Sequence, residues 1–216
     1  MAGGKFEFGG LVQTQAFAAG EPLVRIFQSG RSPVWFGPAA SAPPANRFDA
    51  PNGQYRTLYA ATSLTGAYVE TALHRPAGRI VKRSFIESRS VAIVHPTRAL
   101  TMATLHGTGL MFHDAFPALG TGQDYNVSRA FALALYEQFQ ELDGLVYRSS
   151  HNDDERCLAL FDRVAADALV VTETTPLSDI PDQVDEIMVK HGAVFDTSAP
   201  VLPFKDLMWQ EGVKIR

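Results

Sequence analysis

Apolar side chains recur at Val127, Ala130, Phe131, Ala134, Leu135, Phe139 and Leu142. That spacing is one face of an α-helix over 126–142, with Gly144 supplying a stop. A second helix is predicted after Thr62 or Ser63, either of which can cap it; it carries Leu64, Ala67, Tyr68, Thr71 and Ala72 until Pro76 forbids continuation. A third runs over 180–190 and ends at Gly192. Short apolar or alternating runs predict strands at 23–27, 56–61, 80–86, 90–94, 145–147, 157–161 and 168–171. A turn near 87–89 would join 80–86 to 90–94 as an antiparallel pair. Nothing is assigned after Pro200.

Strands outnumber helices and do not alternate with them as a doubly wound parallel sheet requires. The expected fold is therefore α+β, a single domain of mainly antiparallel sheet with flanking helices. No internal repeat, low-complexity tract or composition shift divides the chain. With 216 residues, 46% of them hydrophobic, one domain can bury a substantial core. The segment 28–56 is rich in Gly, Pro, Ala and Ser, which punctuate loops. A loop of that length reads equally as a cover over a substrate or as a surface excursion.

Nineteen Lys plus Arg against 23 Asp plus Glu leave a formal charge of −4, which lacks the electrostatic footprint of a general nucleic-acid binder. The basic cluster Arg79, Lys82 and Arg83 reads as a solvated strand face. No stretch approaches the roughly 18 consecutive apolar residues of a membrane span, and residues 1–8 do not resemble a secretory leader. A single cysteine, Cys157, precludes an internal disulfide and fits a reducing compartment. The expected location is the cytoplasm, without membrane or direct nucleic-acid contact.

Several chemistries are absent. There is no Walker loop, and Gly107-Thr-Gly109 and Gly120-Thr-Gly122 lack the third glycine of a dinucleotide fingerprint. The six histidines form no i, i+4 pair, and with one cysteine no metal site is predicted. Asp153-Asp154-Glu155 reads as a solvated hairpin tip, and Cys157 within an apolar strand reads as core filling. Ser149 with His151 invites a serine-hydrolase reading, but Gly-x-Ser-x-Gly is missing and no third group orients the histidine.

What remains is a set of polar residues where the local pattern favours apolar ones. These are Arg25 in Leu-Val-Arg-Ile, Asn46-Arg47-Phe48-Asp49 followed by Gly53, Tyr59 in Leu-Tyr-Ala-Ala, Glu70 in Ala-Tyr-Val-Glu-Thr, and Ser149 in Asp-Gly-Leu-Val-Tyr-Arg-Ser with Cys157 to Phe161 following. In order and spacing, across about residues 20–175, they resemble the RES domain. The resemblance implies an ADP-ribosyltransferase-like fold and the toxin of a RES-Xre toxin-antitoxin module. It also implies NAD as substrate rather than cofactor, either depleted by hydrolysis or phosphorolysis or used to transfer ADP-ribose to a protein. Position by position it places catalytic roles on Arg25, Tyr59, Glu70 and Ser149, and substrate binding on Arg25, Arg47, Tyr59 and Ser149. Asn46 stands where the family has a glycine, and Ser150 is a rival for the serine. The implied partner is an Xre-type antitoxin covering the active site in a hetero-oligomer. On this reading residues 1–19 are an N-terminal extension, 20–175 the core, and 176–216 a C-terminal helix and tail of the same domain.

The chemistry asks for such groups. Breaking a nicotinamide–ribose bond builds oxocarbenium-like charge that a carboxylate stabilises, a role for Glu70. A pyrophosphate suits the planar fork of arginine, a role for Arg25 and Arg47. Tyr59 could stack on a ring, and Ser149 could orient a ribose hydroxyl or the amide. Each residue also has a plain reading: a snorkelling strand arginine, a core tyrosine, a solvent-facing helix glutamate, a turn serine. A non-catalytic nucleotide-binding module is the alternative of a different class, with a serine-type hydrolase third.

Overall fold

A computed structural model of the protein describes residues 6–37, 42–73, 79–113, 119 and 125–196. In chain order the elements are β1 (Thr14–Phe17), β2 (Leu23–Gln28), β3 (Thr57–Ala61), α1 (Leu64–Ala72), β4 (Ile80–Val81), α2 (Arg83–Glu87), β5 (Arg89–Pro96), β6 (Leu100–Leu105) and α3 (Thr108–Phe112). There follow α4 (Tyr125–Gln138), β7 (Gly144–Arg148), β8 (Arg156–Phe161), β9 (Leu169–Pro176), α5 (Pro181–Lys190) and β10 (Val194–Phe195). Eight strands form one sheet in the order β1-β6-β7-β8-β3-β2-β5-β9, antiparallel except at β6–β7. β4 and β10 pair in parallel as a separate ribbon. The architecture is α+β.

Alternation along the strands builds two clusters of buried residues. Val24 and Ile26 join the helix residues Ala67, Tyr68, Val69, Phe131, Leu135, Val184, Ile187 and Met188, while Leu23, Phe27, Leu58, Leu158 and Leu160 belong to the second cluster. Two fully populated clusters explain why β7 and β8 read as continuous apolar runs: both sets of alternating positions are buried.

Four expectations change. Residues 80–86 are not a strand paired with 90–94; only Ile80 and Val81 form a strand, and 83–87 form α2. The adjacent Phe85 and Ile86 both pack against the core, which a one-turn helix allows, and short apolar runs do not distinguish helix from strand. The long helix stops at Gln138 rather than Leu142, because Arg163 donates to the carbonyls of Tyr136 and Phe139 at 2.7 and 2.8 Å and satisfies its C-terminal end. Gly144 is then not a helix stop but the first residue of β7; a Cβ there would lie 2.2 Å from the Ala159 carbonyl oxygen. Residues 14–17, set in an N-terminal extension by the sequence, are an edge strand paired with β6, and neither β6 nor α3 was predicted.

One ionic contact fastens the β6–β7 region. Buried Asp143 accepts both terminal nitrogens of Arg98 at 2.7 and 2.5 Å and the Thr101 amide at 2.8 Å. Since Arg98 is half-exposed and rehydrates when its partner is lost, Asp143→Ala should cost about 1–2 kcal/mol. The check is a thermal melt; an unchanged midpoint would remove the anchoring role.

Candidate active site

The ladder between β2 and β3 consists of a single register pair, Val24 opposite Ala61. Beyond it the strands part, and Arg25 occupies the split. Its guanidinium donates to the Tyr59 carbonyl at 3.2 Å and the Trp35 carbonyl at 3.1 Å, standing in for missing ladder bonds. Its Nε is buried without a hydrogen-bond partner among the described residues. Burial lowers the guanidinium to a pKa of about 10, so it remains cationic at neutral pH. A buried donor left unmatched in this way is ready for an anionic acceptor.

A cavity of about 690 Å³ opens at this split, a volume suited to a dinucleotide-sized ligand. Arg25, Arg47, Tyr59 and Glu70 all line it, as do Tyr147, Ser150 and His151. Among the described lining residues four cations, Arg25, Arg47, Lys82 and Arg89, face one carboxylate, Glu70. In a chain of net charge −4, the cavity is a local concentration of positive charge.

Glu70 sits in the last turn of α1. Ser63, not Thr62, caps that helix: its hydroxyl accepts from the Gly66 amide at 2.9 Å and donates to the Glu155 carboxylate. The hairpin tip 153–155 is thus only partly solvent chemistry, because Glu155 reaches back to fix the start of the helix that carries Glu70.

Ser149 follows β7 directly and is 3% exposed. Its hydroxyl donates to Glu70 Oε1 at 2.6 Å and accepts the amides of His151 at 3.1 Å and Asn152 at 3.3 Å. The Ser149 hydroxyl thus has its proton directed at Glu70 and its oxygen engaged by two amides. Ser150, the rival, lines the cavity instead. His151 reaches Ser149 through its backbone amide, so the hydrolase arrangement suggested by their spacing is not formed.

The hydroxyl of Tyr59 is also occupied. It donates to Asp49 at 2.9 Å and accepts the Phe48 amide at 3.0 Å, and burial together with the Asp49 charge pushes the phenol well up. Asp49 further accepts the amides of Ala45 and Asn46 at 2.9 and 2.7 Å. From α4, Arg129 donates to the carbonyls of Asn46 and Pro44 at 3.0 and 3.2 Å. The segment 45–47 is therefore part of the cavity wall, not a surface excursion, and Asn46 meets Asp49 and Arg129 through its backbone amide and carbonyl. Arg47 stacks over the Tyr125 ring at 4.7 Å. Cys157 is buried with its thiol pushed up, an inert core residue.

Sequence reasoning gave no role in the site to Asp49, Arg129, Glu155 or Tyr147. Asp49 had a signal, an acidic side chain three residues after Asn46 in a turn-forming segment. Tyr147 is 4% exposed, rests edge-on against Phe48 at 4.9 Å, and has its phenol pushed up by burial and by Glu70. A tyrosine within an apolar strand gives no sign that it faces a cavity.

The RES domain family model matches residues 22–180. The chain belongs to the RES family. Among solved structures this RES protein is similar to a chain of the M. tuberculosis MbcT-MbcA toxin-antitoxin complex, with 16% identity, a TM-score of 0.64, and coverage of 81% of this chain and 92% of that one. At that identity the likeness concerns the fold. No curated protein matches the sequence. The residues quoted for the resemblance, Arg25 to Phe161, all lie within the matched span, and α5 lies beyond it. Among the described residues of this RES protein, no helix is long and apolar enough to cross a membrane.

Proposed function

We propose that this RES protein cleaves the nicotinamide–ribose bond of NAD and is the toxin of a toxin-antitoxin pair, with an ADP-ribosyltransferase-like fold. The observation that carries the catalytic reading is the pairing of Glu70 with Ser149 at the edge of a cavity lined by Arg25 and Arg47. The arginines offer charge for the pyrophosphate, and Arg25 Nε is a buried donor awaiting an acceptor. Tyr59 contributes its ring to the wall while its hydroxyl holds the 45–49 loop. The Glu70 carboxylate, oriented by Ser149, stabilises positive charge on the ribose as the bond breaks.

In that step the electron pair of the C1–nitrogen bond leaves with nicotinamide, whose ring becomes neutral. The acceptor then attacks ribose C1 and loses its proton. Water and phosphate as acceptors give depletion of NAD; a protein side chain gives ADP-ribosylation. The toxin reading rests on family membership and on the likeness in fold to a chain of the MbcT-MbcA toxin-antitoxin complex. An Xre-type antitoxin covering the cavity would complete the pair as a hetero-oligomer.

The test is nicotinamide release from NAD by purified protein, with and without phosphate, in parallel with labelled NAD in a cell lysate. Release is expected, with label either on one protein band or in free ADP-ribose or its phosphate. Saturable NAD binding without release over long incubation would instead make the protein a binding module. Arg25→Ala should raise KM for NAD about tenfold, the loss of one charge-assisted contact. An unchanged KM would detach Arg25 from the substrate.

A further inference from the structure

We propose that His191, at the end of the helix outside the family-matched residues, acts with Asn152 as a positioning pair for the Ser149 hydroxyl. The inference rests on the reading of Glu70 and Ser149 as the reacting centre. Its basis is a continuous set of hydrogen bonds whose directions are all determined. The Ile187 carbonyl can only accept, so the 2.8 Å contact with His191 Nδ1 puts the ring proton on Nδ1. Nε2 then carries a lone pair. The Asp154 amide can only donate, and it donates to Asn152 Oδ1 at 3.2 Å, which turns Asn152 Nδ2 toward His191 Nε2 at 3.0 Å. Each assignment agrees with the next, leaving no freedom to flip the amide or exchange the tautomer without losing a bond.

Asn152 thus held presents its backbone amide to Ser149 Oγ at 3.3 Å, and its carbonyl accepts the Glu155 amide at 3.0 Å. The Ser149 amide in turn donates to the Glu155 carbonyl at 3.0 Å. The turn 149–155 is thereby closed on itself and tied at one point to α5. Ser149 Oγ, with two amides fixed on its acceptor side, directs its proton at Glu70.

The same helix also packs against α1, the element that carries Glu70. Val184, Ile187 and Met188 of α5 are buried in the core cluster that contains α1, and the Tyr68 hydroxyl meets Met188 Sδ at 3.3 Å. Tyr68 stands two residues before Glu70 on α1. One helix therefore packs against α1 through Tyr68 and Met188, and holds the 149–155 turn through His191 at its end. This gives residues 181–191 a role in the reaction without any contact with substrate.

The experiment uses the full chain, labelled with nitrogen-15 histidine for the ring signals and uniformly with nitrogen-15 for the backbone amides. His191→Ala and Asn152→Ala are made singly and together, with His191→Gln as a space-filling variant that folds should the alanine variant not. Wild-type His191 is expected as the neutral Nδ1–H tautomer, with its Nε2 signal, but not its Nδ1 proton, displaced in Asn152→Ala. In kinetics each single variant should lower kcat for nicotinamide release about 3- to 10-fold, with KM for NAD unchanged and the melting midpoint lowered by no more than a few degrees, so that the protein stays folded at the assay temperature. The double variant should lose no more than one single variant, as coupled partners do. An Nε2–H tautomer, multiplying losses, or a loss that follows the melting midpoint would overturn the proposal. If wild type releases no nicotinamide, the proposed function fails; the tautomer and the amide signals of residues 149–152 in His191→Gln still decide whether the pair holds Ser149.

Discussion

Glu70→Ala is expected to lower kcat for nicotinamide release by about two to three orders of magnitude, a loss of about 2.7–4 kcal/mol of transition-state stabilisation. The carboxylate is the one acidic side chain among the described residues lining the cavity, and none of these neighbours can take over its charge. KM should move far less, since the charge on ribose that Glu70 answers exists only as the bond breaks. Glu70→Gln separates charge from shape. Its amide oxygen can still accept from Ser149, so the helix and the 149–155 turn stay in place while the charge is gone, and kcat should fall nearly as far as in the alanine variant. A Glu70→Gln protein that cleaves NAD at the wild-type rate would refute the electrostatic assignment.

The second large effect is expected at Ser149. Ser149→Ala removes the 2.6 Å hydrogen bond to Glu70 and leaves the amides of His151 and Asn152 without that acceptor. A hydrogen bond to a charged group contributes about 1.5–3 kcal/mol, so kcat should drop roughly 10- to 100-fold. Because the hydroxyl works through the carboxylate, Ser149→Ala in a Glu70→Gln background should add little further loss, whereas independent roles would multiply. Ser150→Ala, altering a cavity wall residue without a contact to Glu70, should cost less than Ser149→Ala. A larger loss at Ser150 would transfer the serine role to it.

Local pattern made most of the helices and strands legible. The helical spacing from Val127 to Leu135 survives because Phe131, Ala134 and Leu135 are all buried, and the apolar runs of β3 and β8 survive because they are central strands covered on both faces. β6 was not legible: Leu-Thr-Met-Ala-Thr-Leu mixes threonine into a strand whose register is decided by β1 and β7, neither adjacent to it in sequence. The same holds for α2, whose helical state depends on packing Phe85 and Ile86 together against the core. Within the site, residue types and their order were visible, but their partners were not. Ser149 read as a ligand contact, and the structure instead gives its hydroxyl to Glu70; Tyr59 read as a ring platform, and its hydroxyl proved to be the fastening of the 45–49 loop.

The amino-acid order alone determined that arginine, tyrosine, glutamate and serine interrupt apolar segments, since side-chain polarity and periodicity are local properties. Only the folded chain decided that β2 and β3 separate after one pair and that the gap receives the Arg25 guanidinium. Only the folded chain, likewise, brought Ser149 to Glu70 across 79 positions, Met188 of α5 to Tyr68, and His191 to Asn152. Hydrogen-bond partners so distant in sequence are fixed by sheet order and helix packing. Those depend on the sum of all buried contacts, which no single window of residues contains.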